Sequence, residues 1–147
     1  MIIKIKRLDK SLPLPDYQST GAVAFDLYSR IDSKIAPSEI KMLPSNFIIG
    51  IPYGYMLMVA PRSSLFKKKG LKLANTIGII DQDFCGPEDE VHLALHNFTD
   101  QTIQITRGER LAQAMFVRID KVRQWEEVEE ISSQTRGGYG STSGYNA

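Results

Sequence analysis

Val91-His92-Leu93-Ala94-Leu95-His96 alternates along its length and puts Val91, Leu93 and Leu95 on one face. A period of two over this length marks a strand with one buried face. The same period recurs on both sides of it. Ile3-Lys4-Ile5-Lys6 and Thr102-Ile103-Gln104-Ile105 alternate, while Tyr55-Met56-Leu57-Met58-Val59-Ala60 and Ala112-Gln113-Ala114-Met115-Phe116-Val117 are apolar runs of strand length. Turn residues divide these runs at Pro52-Tyr53-Gly54, Asn97-Phe98-Thr99-Asp100 and Arg107-Gly108-Glu109. Short strands with this punctuation predict an all-β sandwich, jelly roll or barrel. One short helix is expected from Ser63 to Lys69, with a hydroxyl N-cap offered by Arg62-Ser63-Ser64 and a stop at Gly70. The chain carries no internal repeat and no inter-domain linker.

The bulk properties exclude several classes. A length of 147 residues predicts one domain. Such a domain keeps a high ratio of surface to volume, so oligomerisation would help it. Lys and Arg number 18 against 17 Asp and Glu. That balance does not describe a nucleic-acid coat or a polybasic membrane binder, and any anionic ligand must meet a local cluster. The longest basic run, Lys67-Lys68-Lys69, reads as solvated surface. A single cysteine, Cys85, allows no internal disulfide and fits a reducing compartment. It also cannot supply the cysteine-rich zinc site of a nucleobase deaminase.

Met1 to Lys6 lacks the apolar centre of a signal peptide, and no stretch approaches the ~20 apolar residues of a membrane span. The expected location is the cytoplasm, with neither membrane nor nucleic acid as partner. His92 and His96 stand four residues apart, about 13 Å along a strand. Zinc–nitrogen bonds of roughly 2.0–2.1 Å cannot bridge that gap, so both rings are expected to face outward.

Four segments carry chemistry. Pro61-Arg62-Ser63-Ser64 sets a guanidinium and two hydroxyls at a helix start, which reads either as a phosphate grip or as an N-cap beside a surface arginine. Ile79-Ile80-Asp81-Gln82-Asp83-Phe84 puts two acids after an apolar strand; Asp81 there either activates a water or serves an Asp-rich turn. In Gly108-Glu109-Arg110-Leu111-Ala112-Gln113, Glu109 and Arg110 read as structural pairs, and Gln113 is free to donate to a phosphate. Arg136-Gly137-Gly138-Tyr139-Gly140-Ser141-Thr142 is a flexible tail by composition, or a glycine-rich nest for a polyphosphate.

Taken in order, these segments resemble the motifs of the trimeric dUTPase family, from about Thr20 to Thr142. Ala24-Phe25-Asp26-Leu27-Tyr28 is similar to the first motif, Pro61-Arg62-Ser63-Ser64-Leu65 to the second, and Asn75 to Phe84 to the third. Gly108 to Gln113 resembles the fourth motif and Arg136 to Thr142 the fifth. The resemblance implies an all-β, jelly-roll-like β-clip fold with at most one short helix, assembled as a homotrimer with shared active sites. It implies hydrolysis of dUTP to dUMP and pyrophosphate with Mg²⁺, Asp81 as catalytic base, and Asp26 reaching the metal through water. It assigns substrate contacts to Arg62, Ser63, Ser64, Asn75, Gly78, Ile80, Asp81, Phe84, Gln113, Arg136, Tyr139, Gly140 and Ser141. Residues 1–134 are then the β domain and 135–147 an arm that closes an active site.

The chain departs from that family's commonest pattern at Ala24 and Ser64, where glycine is usual, at Phe84 for Tyr, and at Tyr139 for Phe. Gly86-Pro87-Glu88-Asp89-Glu90 also lengthens the third-motif hairpin. Two other functions remain in view. A dCTP deaminase of the same fold shares the Arg-Ser-Ser element, but Ala94 stands where that family carries its essential Glu, three residues before Asn97. A non-catalytic nucleotide-binding trimer would keep the pocket and lose the base, yet Asp26, Asp81, Gln113 and Arg136 are all present.

Overall fold

A computed structural model describes residues 1–135, Gly137 and Gly138. The expected ligand contacts Arg136, Tyr139, Gly140 and Ser141 lie outside the described residues.

The alternating runs become strands. In chain order these are β1 (Ile5–Arg7), β2 (Phe25–Tyr28), β3 (Ser33–Ile35), β4 (Ile40–Pro44), β5 (Phe47–Ile49) and β6 (Tyr55–Pro61). Helix α1 (Ser63–Lys69) follows, then β7 (Leu71–Leu73), β8 (Gly78–Ile80), β9 (His92–Asn97), β10 (Ile103–Ile105) and β11 (Arg110–Arg118). The first strand starts later than its alternation predicts, at Ile5, because its partner β5 spans only Phe47–Ile49. The main sheet runs β2-β11-β6-β8, a second runs β4-β9-β7, and β1-β5 and β10-β3 form two-stranded ribbons. Every pairing is antiparallel.

One apolar cluster joins the sheets. Leu27, Leu57, Val59, Leu111 and Ala114 from the main sheet meet Leu43, Leu71, Leu93 and Leu95 from the second, with Phe47 and Ile49 between. Each large side chain buried this way contributes about 1.5–3 kcal/mol. Val91, Leu93 and Leu95 are all buried, as their alternation predicts, while His92 is exposed and His96 half-buried on the other face. Asn97 has a structural part: its amide reaches the carbonyls of Ile35, Ala36 and Gln101, and its Oδ1 accepts from Thr99. A buried amide satisfied this fully holds the β9–β10 turn in place.

The helix has the expected bounds but not the expected cap. Its N-cap is Arg62, in extended conformation, and no side chain caps the first turn. Ser63 and Ser64 already lie inside the helix, while Arg62 turns its own side chain to Asp26. The stop is as expected. Gly70 takes φ 64° and returns its N–H to the Phe66 carbonyl. A Cβ there would clash with Thr99 Cγ2, so both backbone and space require glycine. Lys67, Lys68 and Lys69 occupy the last turn, where the helix dipole favours cations. Lys69 is not simply solvated, since its Nζ lies 2.6 Å from Glu109. No helix among the described residues is long and apolar enough to cross a membrane.

Candidate active site

The candidate residues fall into two groups. The first gathers around Asp26 on β2. Its buried carboxylate meets two guanidiniums, with Oδ1 2.8 Å from Arg62 Nε and Oδ2 3.1 Å from Arg110 Nη1. Gln18 Oε1 accepts a further bond from Arg110 at 2.7 Å. Gln113 stands opposite Asp26 in the β2–β11 register and donates to the Pro61 carbonyl at 3.0 Å, next to Arg62. The register shifts between Arg110 and Ala112. Such a bulge re-aims a side chain, and here Arg110 ends on Asp26. Two cations against one carboxylate leave net positive charge, and Arg62 and Arg110 stay 30% and 46% exposed. This end of the sheet suits a polyanion, because guanidinium forks match phosphate oxygens.

The second group surrounds a cavity of about 490 Å³ lined by Asn75, Gly78, Ile80 and Phe84 together with Met42, Glu90, His92, Leu93 and Ala94. Two bare strand edges flank it. Strand β8 pairs only with β6. The first half of β9, His92 to Ala94, pairs only with β4, and β7 joins from Leu95 onward. The Ala94 carbonyl already accepts from the Ala74 N–H at 2.8 Å. The other outward backbone groups of β8 and of His92 to Ala94 have no strand partner among the described residues, and such groups seek one. Such edges can hydrogen-bond a flat ring that carries donors and acceptors in its plane, and the apolar walls would shelter those bonds from water. Gly78 lets β8 lie close to β6, since a Cβ there would approach Val59 Cβ to 3.2 Å.

Asp81 follows β8 immediately. The turn it opens is closed by Phe84 N–H to the Asp81 carbonyl at 3.3 Å and tied to β6 by Gln82 Nε2 to the Tyr55 carbonyl at 2.8 Å. Asp81 is exposed. Its carboxylate has no ion-pair partner among the described residues, whereas that of Asp26 has two.

The two groups are separated. Strands β2 and β8 form opposite edges of the main sheet, about 14 Å apart at three strand spacings. One chain therefore presents a phosphate-suited half and a base-suited half rather than one closed site.

A dUTPase family model matches residues 10–144. The chain belongs to the dUTPase family. Two dUTPase relatives, both called deoxyuridine 5'-triphosphate nucleotidohydrolase, resemble it over nearly their whole length. That of Dictyoglomus turgidum is 40% identical over 146 residues, covering 95% of this chain and 97% of that one. That of Corynebacterium glutamicum is 41% identical over 143 residues, covering 95% and 93%. Among solved structures, the dUTPase from Streptococcus mutans superposes with a TM-score of 0.75 at 27% identity, covering 82% of this chain and 98% of that one. The dUTPase of Staphylococcus bacteriophage 80alpha, solved with dUPNHPP, has a TM-score of 0.79 at 22% identity, covering 96% and 98%. At that identity it speaks for the fold alone. The β-rich, single-helix architecture expected from the sequence is the dUTPase fold.

Within this dUTPase chain, Asp26, Arg62 and Gln113 lie together, with Ser63 and Ser64 next to Arg62. Asn75, Gly78, Ile80 and Phe84 line the cavity, and Asp81 stands on the same turn as Phe84. Sequence reading assigns Arg110 only a structural pair; its partner, Asp26, is 84 residues away. It does not single out Gln18, Glu90 or the β9 edge. No local signal marks them, since each matters through a distant contact or through the lack of one.

Proposed function

We propose that this chain is a Mg²⁺-dependent dUTP diphosphatase that cuts dUTP to dUMP and pyrophosphate, limiting uracil entry into DNA and supplying dUMP for dTMP synthesis. The observation that carries this reading is the slot between two bare strand edges, with Phe84 in its wall and Asp81 on the same turn. A uracil edge offers acceptor, donor and acceptor in one plane, which suits backbone groups. Phe84 would pack on the deoxyribose and crowd a 2′-hydroxyl. Asp81 would take a proton from the attacking water. Arg62, Ser63, Ser64 and Gln113 would hold the phosphates.

Among the described residues no three His, Cys, Asp or Glu side chains come together as a metal cage. The one carboxylate that the described residues place among the phosphate-suited side chains is that of Asp26, and a single oxygen donor of this kind fits Mg²⁺, which keeps several waters and takes phosphate oxygens from the substrate. Asp26, already held by two arginines, would then reach it through water. Mg²⁺ held there would supply positive charge against the negative charge that develops as pyrophosphate leaves.

We read the working molecule as a homotrimer. The separation of the two half-sites supports this, because closed cyclic symmetry can bring one chain's Asp81 to a neighbour's Asp26 cluster. The stretch after β11 supports it too. Residues 121–135 are all exposed, and Val122, Trp125, Val128 and Ile131 recur along it at every third position. Apolar side chains in such a row mark a surface made to be covered. Residues 1–134 form the β domain in this reading, and 135–147 the arm, with Arg136 on the outer phosphates, Tyr139 over the base, and Gly140 and Ser141 close to the triphosphate. The compartment is the cytoplasm.

The direct test is to supply dUTP or dCTP and measure pyrophosphate and ammonia. Pyrophosphate from dUTP without ammonia is the expected result. Ammonia from dCTP means a deaminase, and no product at all means a binding protein. The arm has its own test. One variant is truncated after Thr135 and another carries Asp81→Asn; each is expected to be inactive alone. Mixed trimers should recover activity, because some sites then combine an intact Asp81 with a neighbour's arm. Mixed trimers that form yet stay inactive would rule out an arm acting on a subunit other than the one supplying the base.

A further inference from the structure

Glu90 is one of few charged residues buried in the chain, at 6% exposure, and the reaction as described above gives it no part. Its carboxylate is gripped on both oxygens. Oε1 accepts from Arg30 Nε at 2.9 Å and from the Asn46 N–H at 2.7 Å; Oε2 accepts from Arg30 Nη2 at 2.9 Å. The Arg30 guanidinium is pushed to hold its proton more firmly still, mainly by the bond to Glu90. Both partners belong to the body of the fold. Arg30 follows β2 and its N–H binds the Pro44 carbonyl. Asn46 sits in the β4–β5 turn at φ 78°, with its own side chain fastened to the backbone of Asp9.

The place of Glu90 in the chain gives the anchor its meaning. It stands near the end of the looped segment that runs from Phe84 to β9, one residue before Val91, and it lines the same cavity as Phe84, Asn75 and Ile80. Its carbonyl meets His92 Nδ1 at 2.8 Å. A carbonyl only accepts, so that ring nitrogen carries the hydrogen, and the first residue of the bare β9 edge is held through it. Val91, next to Glu90, is buried and exchanges backbone bonds with Phe47 and Ser45, while the stretch from Cys85 to Asp89 is lightly held. Gly86 N–H binds Asp89 Oδ2 at 2.6 Å, and Lys6 Nζ reaches the Pro87 carbonyl at 3.1 Å, at exposed or half-buried positions. A longer loop has more freedom to lose on closing. Strand pairing fixes the bodies of β8 and β9, and the Glu90 anchor fixes the end of the slot, where the segment from Phe84 meets His92.

We propose that the Arg30–Glu90 pair positions the nucleoside slot, fixing the end of it where the segment from Phe84 meets the β9 edge so that the pyrimidine is read correctly. Glu90 is a positioning residue here, not a catalytic one. The proposal rests on the dUTP diphosphatase reading and adds to it the group that holds the base-suited half in register. A bidentate guanidinium–carboxylate pair suits the task because it fixes orientation as well as distance. A lysine in place of Arg30 keeps the charge and loses the fork.

The test separates the two halves of the substrate. Glu90→Gln and Arg30→Lys are compared with the parent protein as the full chain in its native assembly. The readouts are kcat and KM for dUTP, inhibition by dUMP, and inhibition by inorganic tripolyphosphate, which meets only the phosphate-suited half. Both variants should raise KM and weaken dUMP inhibition by roughly 10–100-fold, the size expected when a hydrogen bond or two to the base is lost and its partners are left unpaired. Tripolyphosphate inhibition should stay within about threefold, and saturated kcat should change far less than KM. Unchanged KM and dUMP inhibition overturn the proposal. So does an equal loss for dUMP and tripolyphosphate, which would mean that the pair serves only general stability. Should Glu90→Gln fail to fold, Arg30→Lys, which keeps the buried carboxylate paired with a cation, decides the question by the same ratio. Failure of the parent protein to cleave dUTP would refute the diphosphatase reading instead.

Discussion

Replacing Asp81 with Asn should slow pyrophosphate release from dUTP by roughly 10²–10⁴-fold, the usual contribution of a general base, while nucleotide binding stays largely intact. Asn keeps the shape of the side chain and loses its ability to take a proton. The structure gives a reason to expect so clean a separation. The Asp81 carboxylate has no ion-pair partner among the described residues, and the turn that carries it is closed by backbone contacts and by Gln82. Removing the charge therefore leaves no buried cation unpaired, and the slot beside it keeps its walls. Asp26 makes a useful contrast. Its loss would strand two guanidiniums now held at 2.8 and 3.1 Å, so binding and catalysis should fall together. The measurement is steady-state turnover of Asp81→Asn beside calorimetric binding of a non-hydrolysable dUTP analogue. Parental turnover would remove Asp81 from the role of base.

Discrimination between dUTP and dCTP should be the largest effect of all, with kcat/KM for dUTP higher by ~10⁴–10⁵. Backbone groups on the β8 and β9 edges have fixed donor and acceptor order. Cytosine carries an amino donor where uracil has O4 and a bare nitrogen where uracil has N3–H. Two bonds then turn into repulsions inside a sheltered cavity, and the buried partners are left unpaired. Thymine keeps the uracil pattern and adds only a methyl group, so packing must refuse it, and packing discriminates far less. Competition assays with dUTP, dCTP and dTTP give the ratios directly. Turnover of dCTP within about tenfold of dUTP would contradict a slot built on backbone hydrogen bonds.

Much of the fold is legible in the chain because the information is local. A strand shows in residues two apart, as Leu93 and Leu95 do, and a helix end shows in a single residue such as Gly70. The capping of α1 is the instructive exception. Arg62-Ser63-Ser64 has the composition of a hydroxyl cap, but Asp26 draws the Arg62 side chain away and the serines fall inside the helix. A long-range ion pair, invisible in the local sequence, accompanies that outcome. The lysine run divides for a similar reason, with Lys69 meeting Glu109 from a distant turn.

By itself, then, the sequence determined the all-β class, the position of the one short helix and the motif order that names Asp26, Arg62, Asp81, Phe84 and Gln113. Short-range period and turn residues suffice for the class and the helix, while the resemblance of the motif order to the dUTPase family names those side chains. Only the tertiary structure decided that Arg110 and Gln18 join Asp26, that Glu90 is buried against Arg30, and that the strand bearing Asp26 and the strand leading to Asp81 are opposite edges of one sheet. It alone revealed the slot, because a slot is made by strands that do not pair. Strand pairing is a choice among distant segments, settled by burial and register across the whole domain, and no window of neighbouring residues contains it.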